Sequence, residues 1–152
     1  KRDGRLRADL RSVDIMGTIQ YPSTRDQFTH FSVISTRWRD MDYRQHINHA
    51  AYLTYMENAR LEYADHYFDQ NLNFILASLT VDYHSQLFHP ANLNIGQKVV
   101  DVGNKSFRML GAIFQEEEAD PVVTTLTSLV CFDYKTQKSC PVPEAIRNKL
   151  NE

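Results

Sequence analysis

Between Arg37 and Tyr52 the chain carries Asp40, Asp42, His46, Asn48 and His49, at the junction of a strand-like segment and a long helix-like one. A carboxylate facing the open amides of a helix start can attack a carbonyl, or activate water against it, while those amides hold the carbonyl oxygen. That is chemistry for acyl transfer to water. Asp42 is the first candidate for the carboxylate, because it precedes the helix start by several residues, far enough for a loop to fold its side chain back over the helix N-terminus. There the amides of His49 and Ala50 lack intrahelical acceptors and carry the positive end of the helix dipole, which suits an oxyanion hole. The plainer role for Asp42 is to bond backbone amides of its own turn, and spacing alone favours it.

The other polar side chains divide between that chemistry and its support. Asp40 lies two positions before Asp42, so in extended backbone both point the same way, and its expected task is to orient Arg37 or Arg39. His46 and His49 are three positions apart, but a metal site needs a third ligand, and neither His84, His89 nor Glu57 is marked for it by spacing, so no metal is expected. His46 is expected to brace the loop by bonding backbone carbonyls, and His49 to hydrogen-bond a substrate carbonyl or the attacking water. Asn48 can cap the helix that follows. Glu57, two turns inward, is an alternative base whose plainer partner is Arg60. Lys105, Ser106 and Arg108 sit beside a turn, where two cations can meet the phosphates of a nucleotide-bearing carrier. Exposed cations at strand ends are also common.

Elements able to hold these groups are legible in the pattern. Residues 1 to about 28 are polar and weakly patterned, with a short helix expected over Asp3 to Val13 and a loop at Tyr21-Pro22-Ser23. Alternation from Phe31 to Arg39 predicts a half-buried strand. From His49 to Phe68 there is no Gly or Pro, and Tyr52, Met56, Ala59, Tyr63 and Tyr67 recur at three- and four-residue steps, which predicts one long helix. Strands follow over Phe74 to Leu87, Leu93 to Val102, Ser106 to Phe114 and Pro121 to Tyr134, with a hairpin at Gly103-Asn104 and an acidic turn over Glu116 to Pro121. A short helix over Glu144 to Leu150 comes after Pro143. One strand, one long helix and then consecutive antiparallel strands describe an α+β domain. Its sheet edges need covering, and edge-to-edge pairing of two copies predicts a homodimer or larger.

The 152 residues fit one domain with a core of its own. A net charge of -2 gives no reason to expect nucleic acid, and no run is long or apolar enough to insert into a membrane. The N-terminus lacks the apolar core of a secretory signal, and Lys1 in place of Met leaves room for residues upstream. Cys131 and Cys140 have no metal-type spacing and read as free thiols of a reducing cytoplasm.

Taken together, the motifs resemble the 4-hydroxybenzoyl-CoA thioesterase branch of the hotdog-fold superfamily, which includes acyl-CoA thioester hydrolases. The resemblance covers about Phe31 to Leu150. It is carried by the Asp-x-Asp loop into His46-Ile47-Asn48-His49-Ala50-Ala51-Tyr52, and by Glu57-Asn58-Ala59-Arg60 with Glu62-Tyr63. Val81-Asp82-Tyr83, Ile95-Gly96, Val102-Gly103-Asn104-Lys105-Ser106-Phe107, Phe132-Asp133-Tyr134 and Pro143-Glu144 follow in family order. It implies a hotdog domain over 31–152 after an N-terminal extension over 1–30. Its long helix would be wrapped by an antiparallel sheet, dimerising into a continuous sheet with active sites at the interface. By position, Asp42 is the family's catalytic carboxylate, and His49 supplies the amide that polarises the thioester carbonyl, with its side chain assisting in some members.

The residue reading and the resemblance together lead to the expectation of a cytoplasmic homodimer or homotetramer that hydrolyses acyl-CoA or acyl-carrier-protein thioesters without a cofactor. Asp42 and His49 would be catalytic, and His46, Asn48, Ala50, Glu57, Lys105, Ser106 and Arg108 would bind substrate. The alternatives are a non-catalytic binder of acyl-CoA or acyl carrier, and, ranked last, a hotdog hydratase or dehydratase. Two positions depart from the family. Many members have glycine before the loop histidine, where this chain has Gln45. Members with the assisting histidine often have tyrosine four residues before the aspartate; Trp38 stands there and offers no hydroxyl.

Overall fold

Asn48 starts the long helix by accepting the Ala51 amide on Oδ1 at 2.9 Å. Helix α1 then runs without a break over His49–Tyr67, roughly 28 Å for its 19 residues. It buries Ala51, Tyr52, Tyr55, Met56, Ala59, Arg60 and Tyr63, the steps of three and four that one helical face requires. The computed structural model describes residues 19–68 and 72–151, so the helix expected over Asp3 to Val13 lies outside the described residues.

Five longer strands and one short one make an antiparallel sheet: β1 Phe31–Ser35, β2 Phe74–Tyr83, β3 Asn92–Val102, β4 Ser106–Gln115, β5 Val123–Asp133 and β6 Lys138–Ser139. Their spatial order is β1-β3-β4-β5-β2, with β6 on the end of β5. The β3–β4 hairpin pairs Val102 with Phe107 around the Gly103-Asn104 turn. Helix α2, Glu144–Asn148, begins after Pro143 and passes into a 3-10 turn over Lys149–Asn151. One long helix against a curled antiparallel sheet is the hotdog architecture, an α+β fold.

Two strands end earlier than their alternation suggests. β1 stops at Ser35 and not at Arg39: the Thr36 amide still reaches Ala91 in register, but the Arg37 amide bonds the Asp40 carboxylate, which starts a 3-10 turn over Trp38–Asp40. β2 stops at Tyr83 and not at Leu87, because the amides of His84 and Ser85 both turn to the carbonyl of Val122. The register of β2 against β5 also slips between Leu76 and Ser78. Along β2, Ile75 and Ala77 are therefore exposed, while Leu79, Val81 and Tyr83 beyond the slip are half-buried.

The core between helix and sheet has two parts. Tyr52, Tyr55, Met56 and Ala59 pack on Leu93, Ile95 and Ile113 at the helix start; Tyr63 packs on Phe107, Leu129 and Ile146 at its end. The outer face of β3 and β4 is covered by residues of the N-terminal segment. Phe28 is buried there against Leu110, Ala112 and Phe114, with Ile19 and Tyr21 beside it. A helix side chain packs directly over Gly111. A Cβ at that position would run into Met56 Cε and lie 2.8 Å from Thr125 Oγ1. Gly111→Ala is expected to lower stability by about 1–3 kcal/mol through overpacking, read as a lower urea midpoint.

Candidate active site

The loop between β1 and α1 is organised around the carboxylate of Asp40, which is buried. Its Oδ2 accepts from the Arg37 amide and Nε, both at 3.0 Å, and from the Tyr55 hydroxyl at 2.5 Å, while Oδ1 accepts from Arg37 Nη2 at 3.0 Å. Burial alone would raise its pKa, but these hydrogen bonds from Arg37 and Tyr55 outweigh it and hold the carboxylate below its ordinary range. Burial and the neighbouring carboxylate push the Tyr55 hydroxyl well above the usual tyrosine value, so it stays a donor. The backbone carbonyl of Asp40 accepts from Asn48 twice, from N at 2.9 Å and Nδ2 at 2.8 Å.

Between these anchors the chain makes a tight loop. Met41 and Ile47 form an antiparallel bridge, the Asp42 amide bonds His46 O at 2.7 Å, and the Gln45 amide bonds Asp42 O at 3.0 Å. Asp42 Oδ1 accepts the amides of Arg44 at 2.8 Å and His46 at 3.1 Å. This is the turn-capping role expected of a loop aspartate. Its Oδ2 has no bonding partner among the described residues, and the side chain is exposed. Gln45 closes the turn at φ 66, the left-handed region that favours glycine. The residue type departs from the family pattern at this position while the backbone keeps a conformation that glycine adopts readily.

A cleft of about 200 Å³ lies beside the loop. Asp42, His46, His49, Tyr52, Tyr83 and Leu87 are among the residues that line it. The Tyr52 and Tyr83 rings meet edge to face at 5.5 Å, and His49 tilts against Tyr83 at 5.8 Å. Burial raises the pKa of both tyrosines, so they stay neutral. At the helix start, the amides of His49 and Ala50 find no acceptor among the described residues, because Asn48 caps Ala51 and His46 O is turned to Asp42. A carboxylate and the open amide of a lining residue on one partly apolar cleft, with a second open amide next along the helix start, can activate water against a bound carbonyl and stabilise the oxygen that becomes negative.

Of the candidates read from sequence, the structure brings Asp42, His46 and His49 together at the cleft, with Asn48 and Ala50 at the helix start beside it. His46 braces the loop with its backbone; its ring packs on Phe88 at 5.0 Å and bonds no carbonyl among the described residues. Glu57 is exposed on α1, 3.8 Å from Arg60, and does not line the cleft. Lys105 and Ser106 lie at the β3–β4 turn, and Arg108 is tied to Asp101 at 2.6 Å. That turn sits with Phe107 and Phe74 at the end of the sheet opposite Tyr83. His84 and His89 bond Thr124 and Thr36, and no group of three His, Cys, Asp or Glu is arranged for a metal among the described residues. Tyr52 reads from sequence as core and Tyr83 as strand, so their place on the cleft wall was not legible. The segment Tyr83 to Leu87 gave one signal, a polar break in an alternating run.

Residues 36–150 match the family described as the thioesterase-like superfamily. The long-chain acyl-CoA thioesterase FadM of Escherichia coli K12 is 30% identical over 125 residues, covering 78% of this chain and 95% of FadM. A thioesterase from Thermus thermophilus, crystallised with coenzyme A and zinc, superposes with a TM-score of 0.73 at 27% identity, over 82% of this chain and 99% of that one. A Pseudomonas aeruginosa PAO1 protein superposes with a TM-score of 0.76 at 25% identity, over 84% and 93%.

The left-handed turn at Gln45 generates a comparison of two variants that both lack the glutamine side chain. Gln45→Val is expected to be about 1–2 kcal/mol less stable than Gln45→Gly in urea unfolding, because a β-branched residue resists positive φ.

Proposed function

The chain belongs to the thioesterase-like superfamily, and on that premise we propose that it hydrolyses acyl-CoA thioesters to a free acid and a thiol. The observation that carries the reading is the cleft shared by Asp42 and His49, whose open amide begins α1 with that of Ala50 next to it. The thioester carbonyl oxygen accepts hydrogen bonds from those amides, which draws electron density from the carbon. The free oxygen of Asp42 then removes a proton from water as it adds to the carbonyl carbon, or adds itself to give an anhydride that water cleaves. In either route the C–S bond breaks as the oxyanion collapses, and the thiolate leaves and takes up a proton. The His49 ring is within the same cleft and assists by hydrogen-bonding the water or the carbonyl. The Tyr52, Tyr83 and Leu87 wall receives the start of the acyl group.

The working unit is a homo-oligomer. β2 is a free edge of the sheet and carries exposed Ile75 and Leu76, so two copies can extend one sheet by pairing β2 with β2. Within one chain the cations of the β3–β4 turn lie roughly 30 Å from the cleft, the length of the ten-residue β2. Antiparallel pairing across a two-fold axis reverses that relation and brings the partner's turn toward this cleft. Lys105 and Ser106 would then meet the carrier phosphates of the neighbouring site. A reducing, cytoplasmic setting fits the free thiols Cys131 and Cys140.

Asp42→Asn is expected to fold normally and to lose roughly a hundredfold to ten-thousandfold in thiol release across a panel of acyl-CoA esters. Unchanged turnover would remove Asp42 from its role, and acyl-CoA binding without release by the unaltered protein would mark a non-catalytic binder. Sedimentation equilibrium is expected to give twice the chain mass or a higher multiple. A monomer with full activity would remove the partner's cations from the site.

A further inference from the structure

Asn48 has a choice of amides to cap. A capping side chain accepts from the second or the third amide of its helix, here Ala50 or Ala51. It takes Ala51, at 2.9 Å, and so leaves Ala50 open. What holds the side chain in that orientation is its other end: Nδ2 donates to the Asp40 carbonyl at 2.8 Å, while the Asn48 amide donates to the same oxygen at 2.9 Å. Asp40 is in turn fixed to the body of the helix, because its carboxylate accepts the Tyr55 hydroxyl at 2.5 Å. Asn48 and Tyr55 are about two turns apart and face the same side. One loop residue therefore grips α1 at two heights.

We infer that Asp40 and Tyr55 are positioning residues for the thioester cleft: their hydrogen bond steers the Asn48 cap onto Ala51, which keeps the Ala50 amide free and fixes how far the Asp42 turn stands from it. The inference rests on the assignment of Asp42 and the helix-start amides to hydrolysis. Three features of the surroundings support it. Tyr55 is 1% exposed and Asp40 5% exposed, so the bond is shielded from water and is worth more than a surface contact. Arg37 supplies three further hydrogen bonds to the carboxylate and keeps it charged. The Met41–Ile47 bridge closes the loop that carries Asp42, so a shift of Asp40 is transmitted to Asp42.

Tyr55→Phe keeps the ring and removes only the hydroxyl; Asp40→Asn keeps the shape and removes the charge. The control is Ile146→Val, a core change at the far end of the helix. In 1H–15N spectra of the folded proteins, the amides of Ala50, Ala51 and Asp42 are expected to move in Tyr55→Phe and Asp40→Asn and to stay in Ile146→Val. Acyl-CoA turnover is expected to fall between tenfold and a hundredfold in kcat, with KM within about twofold, for the first two variants only. Amides that stay in place in both variants overturn the inference whatever the enzyme hydrolyses, and so does an unchanged kcat in a protein whose turnover depends on Asp42. Loss of the hydrolytic reading has its own signature, an Asp42→Asn variant as active as the unaltered chain, and the amide shifts still decide the clamp.

Discussion

A helix cannot bond its own first amides, and the site depends on how this chain distributes that deficit. At the start of α1 the third amide, of Ala51, is given to the Asn48 side chain, while those of His49, which lines the cleft, and of Ala50 beside it are left open among the described residues. Leaving donors open at a surface costs little when water can reach them, and it makes a ready site for an oxygen that gains negative charge. The rest of the architecture serves that arrangement. The sheet supports the helix along its length, Gly111 lets the two approach, and the β1–α1 loop returns Asp42 to the cleft.

The buried carboxylate of Asp40 is what makes the loop a defined object. An ionised group taken out of water is tolerated only if hydrogen bonds replace its hydration. Here Arg37 and Tyr55 supply four, and those partners join the end of β1 to the middle of the first helical turns. Asp42, two residues on, has the opposite environment: exposed, one oxygen occupied by its turn and one free. The two aspartates of one motif thus differ by burial and partners, one structural and the other available for chemistry.

Much of this was legible before any coordinates. The long helix follows from its uninterrupted period and its asparagine cap, and the hairpin from Gly103-Asn104. The strand ends were not, because they are set by competing partners elsewhere: Asp40 draws off the Arg37 amide and Val122 draws off those of His84 and Ser85. The role of Tyr55 was hidden for a similar reason, since a tyrosine on a buried helical face reads as core and its hydroxyl's partner lies fifteen positions away. Gly96 carried a readable hint of close approach in a strand. Phe28 presses on it, at 2.5 Å from where a Cβ would stand, and its segment belongs to the packed outer face of the sheet. Distance along the sheet, which separates Lys105 and Ser106 from the cleft, depends on the whole topology and has no local signature.

The central claim is that a thioester carbonyl rests on the amides of His49 and Ala50 with the free oxygen of Asp42 beside its carbon. A crystal structure with an acyl-CoA analogue whose sulfur is replaced by methylene tests it most directly. The account predicts the ketone oxygen about 2.7–3.2 Å from one or both amides, with the Asp42 carboxylate, or one water bonded to it, in line with the carbonyl carbon. A ketone held elsewhere, with those amides bonded only to solvent and Asp42 turned away from the ligand, would contradict it.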